Sequence, residues 1–89
     1  MDQIKIGAFL KTLRKEKNLT QEQAAEQLGV SNRTVSRWET GTNMPDISLL
    51  VEIAELYGVS IPELIDGESF LPDSPIEAVE FNKSLKQIK

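Results

Sequence analysis

The chain has 89 residues, 10 of them basic and 14 acidic, for a net charge of −4. This length is enough for one small core, and the absence of cysteine and histidine excludes zinc fingers, thiol nucleophiles and imidazole-dependent catalytic triads. No basic segment precedes an apolar run at the N-terminus, and no stretch approaches about 18 apolar residues. These features predict a soluble, cytoplasmic protein with no membrane segment, metal or cofactor.

The first helix is predicted over about 4–17, because apolar residues recur there at i, i+4 and i+7. Phe9 lies beside this stripe, and Asn18 is predicted to end the helix in a left-handed conformation. Gly7 is the one glycine inside a periodic segment, whereas the others mark predicted helix ends. The stripe consists of Ile6, Leu10 and Leu13.

Two short helices separated by a tight corner are predicted next. Thr20 and Gln23 have the spacing of a capping box and begin the second helix, which Gly29 ends. Ser31 is predicted as the N-cap of the third helix. That helix has an inward face of Val35 and Trp38 and an outward face of Asn32, Arg33, Ser36 and Arg37.

Two further helices follow, and no segment alternates with the period of a strand. The fourth begins after Pro45 with Asp46 as its N-cap, and its predicted buried positions are Leu50, Ile53, Ala54 and Tyr57. The fifth begins at a second capping box, Ser60 to Glu63, and its predicted inward positions are Ile61, Leu64 and Ile65.

The C-terminal region divides into a predicted linker over 67–75 and a sixth amphipathic helix over 76–89. Pro75 follows Ser74 at a favourable N-terminal position. The helix would be marginal alone, so its apolar face requires a surface. Packing on a second subunit and folding back on the same chain both remain open. The apolar face comprises Ala78, Phe81, Leu85 and Ile88.

Residues 4–66 resemble the Cro and phage-repressor-like helix-turn-helix regulators, also called the xenobiotic response element family. The resemblance rests on Leu19-Thr20-Gln21, Ala25, Gly29, Val35-Ser36-Arg37-Trp38-Glu39, Gly41, Pro45 and the stretch 50–64. It implies an all-α, five-helix, lambda-repressor-like domain over 1–66. It also implies a sequence-specific transcriptional regulator, in particular a repressor, that binds a near-palindromic double-stranded operator as a homodimer.

The outward face of the third helix has side chains suited to reading bases in the major groove. Arg33 can donate to guanine O6 and N7, and Asn32 can pair with adenine N6 and N7. Arg37, one turn later, can reach another base or a phosphate. Ser36 is a weaker candidate for base contact, because a short hydroxyl reaches less far.

Five further residues are predicted to contact phosphate. Gln21 lies in the first turn of the second helix, where free N–H groups and the helix dipole favour anions, and the resemblance implies a backbone contact there. Ser31 can cap its helix and donate to a phosphate. The loop after Gly41 lacks the lysine or arginine that relatives often have, so its contact would be weaker. The remaining candidates are Thr34, Thr42 and Asn43.

An ion pair between Arg14 and Glu39 is also predicted. An acid near a helix C-terminus opposes the helix dipole unless it is paired, and the resemblance implies a basic partner from the first helix.

The charges are unevenly distributed. Residues 1–41 carry seven basic and five acidic side chains, whereas 42–89 carry three basic and nine acidic. This asymmetry can orient the molecule on a polyanion while giving modest non-specific affinity. It also leaves an alternative function open, a protein-interaction module such as an antitoxin, antagonist or adaptor with incidental DNA binding. An enzyme is the least favoured class, because no catalytic site is recognisable.

Overall fold

The computed structural model describes residues 2–70, which form five α-helices and no strand. The five-helix, all-α prediction is therefore confirmed for this part of the chain. The predicted helix over 76–89 and most of the predicted linker lie outside the described residues. The helices are α1 (Gln3–Glu16), α2 (Gln21–Leu28), α3 (Asn32–Glu39), α4 (Ile47–Tyr57) and α5 (Ile61–Asp66).

The helix ends follow local hydrogen-bonding signals in the sequence. Thr20 and Gln23 form the predicted capping box, with the Gln23 backbone N–H donating to Thr20 Oγ1 at 3.0 Å. Asp46 and Ser60 cap α4 and α5 as predicted. Asn18 takes a positive φ of 58° after α1, as its predicted left-handed role requires.

All five helices contribute buried side chains to one core. The predicted stripe of α1 is buried, as are Val35 and Trp38 from α3. Leu50 is only partly buried, and the inward prediction for Ile65 is wrong, because its side chain is 39% exposed. Leu64 occupies the buried position of this short helix, and its neighbour Ile65 is rotated by about 100° toward solvent.

Gly7 allows α1 to approach the C-terminal end of α3. A Cβ at this position would lie 2.7 Å from the Glu39 carbonyl oxygen and still closer to that of Trp38. A side chain there would therefore force the two helices apart. The glycine within α1 explains how Arg14, two turns further along α1, comes to lie beside α3.

The first residues of the predicted linker pack against the helices. Lys5 Nζ lies 2.9 Å from Glu68 Oε1, which joins the start of α1 to the chain after α5. The Phe70 backbone N–H donates to Glu63 Oε2 at 2.9 Å. Residues 67–70 therefore close one end of the five-helix unit.

Candidate nucleic-acid interface

The corner between α2 and α3 is closely packed, and hydrogen bonds fix the end of α2 and the start of α3. Gly29 ends α2 with φ 71°, and the Val30 backbone N–H donates to the Ala25 carbonyl oxygen at 3.0 Å. Ser31 then accepts from the Thr34 backbone N–H at 3.1 Å and begins α3. Ala24 and Ala25 are buried, and their small side chains let α3 lie close to α2.

The exposed face of α3 presents amide and guanidinium groups. Asn32, Arg33 and Arg37 are exposed, whereas Ser36 is half-buried. On the opposite face, Val35 and Trp38 are only 2% and 4% exposed. Because the apolar face is held in the core, the polar face points outward as the sequence predicts. The helix therefore offers this polar face to solvent, and an α-helix has the width that a major groove admits.

The three hydroxyl groups predicted to reach phosphate are each hydrogen-bonded to another hydroxyl, Ser31 to Thr34 and Thr42 to Thr40. Ser31 Oγ and Thr34 Oγ1 are 2.9 Å apart at the N-terminal end. Beyond the C-terminal end, Thr40 Oγ1 and Thr42 Oγ1 are also 2.9 Å apart. A phosphate oxygen only accepts, so a contact needs a hydroxyl hydrogen. One of the two hydroxyl hydrogens at Ser31 and Thr34 is left to donate. At the other end, Thr40 donates to the Arg37 carbonyl oxygen at 3.2 Å, and Thr42 donates to Thr40.

The loop after α3 uses its backbone amides internally. The Thr42 and Asn43 backbone N–H groups both donate to the Arg37 carbonyl oxygen, at 2.9 and 3.3 Å. A phosphate contact from this loop would therefore depend on the exposed side chains of these two residues. The sequence did not predict that these two amides bond to the Arg37 carbonyl oxygen, because those hydrogen bonds depend on the path of the chain after Gly41.

Arg14 and Glu39 form the predicted ion pair, which is buried where α1 meets α3. Arg14 Nε donates to Glu39 Oε2 at 2.7 Å and Arg14 Nη2 donates to Glu39 Oε1 at 3.0 Å. This bidentate contact raises the pKa of the Arg14 guanidinium above its ordinary value. Burial, together with the Glu39 carboxylate, also raises the pKa of Tyr57 to about 12.

Gln21 makes a contact that the sequence did not predict. Its side-chain Nε2 donates to Glu39 Oε1 at 3.1 Å, and the residue is half-buried. The resemblance assigned Gln21 only to the DNA backbone. No local signal links two residues that are 18 positions apart, so this contact could be recognised only from the packing of α2 against α3.

Carboxylates lie next to the polar face of α3. Glu22 and Glu26 line a shallow cleft together with Ala25, Val30 and Asn32. These acids oppose the approach of phosphate near Asn32. The local charge around α3 is therefore mixed, with Arg33 and Arg37 as its exposed cations.

A helix with an exposed amide and guanidinium face, packed on a second helix across a tight corner, defines a helix-turn-helix domain. A family model described as helix-turn-helix matches residues 10–64. The chain belongs to this family, which confirms the predicted resemblance. No helix among residues 2–70 is long and apolar enough to cross a membrane.

Several known proteins are similar to the chain. The HTH-type transcriptional activator BcrR of Enterococcus faecalis is 42% identical over 79 residues, which cover 89% of this chain and 37% of BcrR. The cryptic phage CTXphi transcriptional repressor RstR of Vibrio cholerae is 32% identical over 79 residues, covering 88% of this chain and 71% of RstR. The chain spans from about a third to about half of the length of several other curated relatives that it matches, 37% of BcrR among them.

A solved structure shares the fold. The restriction-modification controller protein C.AhdI from Aeromonas hydrophila has a TM-score of 0.65 and 28% identity, covering 71% of this chain and 96% of that protein. The structural match covers almost the whole of C.AhdI. The likeness therefore extends over the five-helix fold and not over the helix-turn-helix alone.

Proposed function

We propose that this chain is a sequence-specific regulator of transcription that places α3 in the major groove of double-stranded DNA. The observation that carries the proposal is the exposed face of α3, where Asn32, Arg33 and Arg37 face solvent while Val35 and Trp38 anchor the helix in the core. The chain acts by binding rather than by catalysis. Relatives named as a transcriptional activator and a transcriptional repressor support the regulatory role.

The candidate side chains fall into two groups, those that contact bases and those that contact phosphates. Arg33, near the start of α3, pairs with guanine, and Asn32 pairs with adenine. Arg37 and Ser36 contact a neighbouring base or the backbone. Phosphates are contacted at the two ends of the motif by Gln21, Ser31, Thr34, Thr42 and Asn43.

The test is selection of bound duplexes from a random pool, followed by a salt titration of the best duplex. Arg33→Ala combined with Arg37→Ala should abolish preference for that duplex, because the guanidinium donors to base edges are lost. Lys11→Ala combined with Lys15→Ala is the matched control, since it removes the same charge from exposed positions of α1. No enriched sequence at low salt, or equal losses in both double variants, would contradict the proposal.

The protein-interaction alternative gives a different result in the same experiment. A module that binds another protein would retain its partner after Arg33→Ala and Arg37→Ala and would select no duplex. The acidic half of the chain is the feature that favours this alternative. We favour DNA binding because the family and the exposed face of α3 both support it.

We further propose that the chain acts as a cytoplasmic homodimer and represses transcription from a near-palindromic operator. Two copies place two α3 helices in successive major grooves, about 34 to 36 Å apart. A dimer also brings two copies of Arg33 and Arg37 to the DNA, which matters for an acidic protein.

The segment 76–89 is the proposed dimer contact, and deletion of 72–89 should reduce the sedimenting mass from dimer to monomer. If the truncated protein still sediments as a dimer, the segment is not the dimer contact.

Repression is tested separately in cells. A reporter gene placed downstream of the selected operator should be less expressed with the intact chain than with the Arg33→Ala and Arg37→Ala variant. Increased expression with the intact chain would identify an activator instead.

A further inference from the structure

The Glu39 carboxylate connects three helices through its two oxygens. Oε2 accepts from Arg14 Nε at 2.7 Å, and Oε1 accepts from both Arg14 Nη2 at 3.0 Å and Gln21 Nε2 at 3.1 Å. Arg14 Nη1 also donates to the Leu19 carbonyl oxygen at 2.7 Å, just before α2. The network therefore joins the last turn of α1, the start of α2 and the last residue of α3.

Gln21 is the member of this network that reaches the predicted phosphate-binding turn. It is the first residue of α2, where the leading backbone N–H groups have no acceptor within the helix. The capping box of Thr20 and Gln23 orders this turn but involves α2 alone. The Gln21 side chain adds a polar contact from the same turn to the end of α3.

We propose that Gln21 is a positioning residue for DNA binding, which holds the first turn of α2 at a fixed distance from α3 through Glu39. An amide nitrogen carries two hydrogens, and Glu39 accepts one of them. The second hydrogen and the leading N–H groups of α2 are thereby aimed at a phosphate while α3 reads the bases. Arg14 fixes the carboxylate, so the position of the DNA-binding turn depends on a buried ion pair. This inference rests on the proposed DNA-binding function.

The first measurement compares Gln21→Ala with Gln27→Ala, an exposed glutamine of the same helix. Affinity for the selected duplex is measured by fluorescence anisotropy, at a temperature where thermal melts show both variants folded. Gln21→Ala should weaken binding about tenfold, equivalent to about 1.4 kcal/mol, and Gln27→Ala less than about twofold. Full affinity of folded Gln21→Ala overturns the inference, because Gln21 would then have a structural role alone.

The second measurement separates positioning from a direct phosphate contact. Gln21→Ala is repeated in a Glu39→Asp background, where the carboxylate is shorter by one methylene and moves away from Gln21. If Gln21 acts through Glu39, its replacement in this background should cost less than about threefold, and the two changes should be strongly non-additive. A full tenfold loss in both backgrounds overturns the inference and leaves Gln21 as a phosphate donor that acts independently of Glu39.

A third variant, which needs no change at Glu39, separates hydrogen bonding by Gln21 from packing. Gln21→Met preserves the length of the side chain without its hydrogen bonds and should bind as weakly as Gln21→Ala. Affinity restored by Gln21→Met would show that packing alone is required, and would overturn the inference. If the unaltered protein binds no duplex, the proposed function itself fails and the inference fails with it. If the unaltered protein binds its duplex and only the Gln21 variants give unexpected affinities, the inference fails and the proposed function stands.

Discussion

At the residue scale, Arg14 and Glu39 are the charged pair of the buried interface between α1 and α3. Their side chains are 9% and 3% exposed, and each has two hydrogen-bond partners: Glu39 and the Leu19 carbonyl for Arg14, and Arg14 and Gln21 for Glu39. A buried pair contributes little net stability relative to apolar side chains, but removing one partner leaves the other as a buried, uncompensated charge. The ion pair is therefore expected to matter most when it is broken.

Glu39→Ala should lower the free energy of unfolding by about 3 to 5 kcal/mol, because Arg14 and the Gln21 amide both lose their acceptor. Urea denaturation monitored by circular dichroism measures this change. Glu26→Ala, which removes an exposed acid from α2, is the control and should change stability by less than about 0.5 kcal/mol. Equal effects of the two substitutions would show that the pair has no special energetic role.

At the element scale, the approach of α1 to α3 depends on a position without a side chain. Gly7→Ala should destabilise the protein, although alanine favours a helix by about 1 kcal/mol over glycine. The added Cβ meets the backbone of Trp38 and Glu39, which cannot move without displacing the end of α3. We expect a loss of at least about 2 kcal/mol in unfolding free energy and weaker DNA binding.

Gly29→Ala is a useful comparison for this prediction. A Cβ at Gly29 meets nothing within 4 Å, so only its positive φ is strained, at a cost of about 1 to 2 kcal/mol. A Gly7→Ala variant as stable as the unaltered protein would show that α1 and α3 do not pack as closely as described.

The start of α5 should make stability depend on pH. Glu63 accepts from the backbone N–H groups of Ser60 and Phe70, which lowers the pKa of its carboxyl. A lowered folded-state pKa contributes stability that is present above the unfolded-state value, about 4.3, and is lost as the pH falls through the folded-state value. The unfolding free energy should therefore decrease as the pH is lowered below about 4.3.

Glu63→Gln removes this titrating group while keeping a similar shape. Urea denaturation at a series of pH values should give a variant that is less stable at neutral pH and loses less stability toward pH 3. Asp46→Asn provides a comparison, because hydrogen bonds also lower the pKa of that N-cap carboxyl. Identical pH dependence in the Glu63→Gln variant and the unaltered protein would exclude a contribution from Glu63.

At the scale of the whole molecule, the folded unit extends beyond the last helix. Gly67 ends α5 with φ 72°, Glu68 pairs with Lys5, and Phe70 donates to Glu63. The sequence predicted a linker from 67 onward, because glycine and proline interrupt the periodicity there. These short-range signals describe the end of a helix but carry no information about what the following residues contact.

A protein truncated after Asp66 should therefore be less stable than one truncated after Phe70. The difference should be about 1 to 3 kcal/mol, since the shorter protein loses the hydrogen bonds that Ser69 and Phe70 donate to Glu63. Parallel thermal and urea denaturation of the two proteins measures it. Equal stabilities would place the end of the folded unit at residue 66.

Local patterns account for the five helices and for the outward face of α3. Caps such as Thr20 with Gln23, and Ser60 with Glu63, act over three residues and so are readable in the sequence. Helical periodicity likewise separates Val35 and Trp38 from Arg33 and Arg37. The inward prediction failed at Ile65 because a six-residue helix has too few positions to define its buried face.

The sequence by itself therefore determined where the helices begin and end, which face of α3 is polar, and the family to which the chain belongs. Tertiary structure decided which distant groups meet: Gln21 with Glu39, Gly7 with the end of α3, and the residues after α5 with α1. The physical reason is the range of the interactions. Caps and periodicity act within one or two helical turns, whereas these contacts require helices that are distant in sequence to be packed against one another.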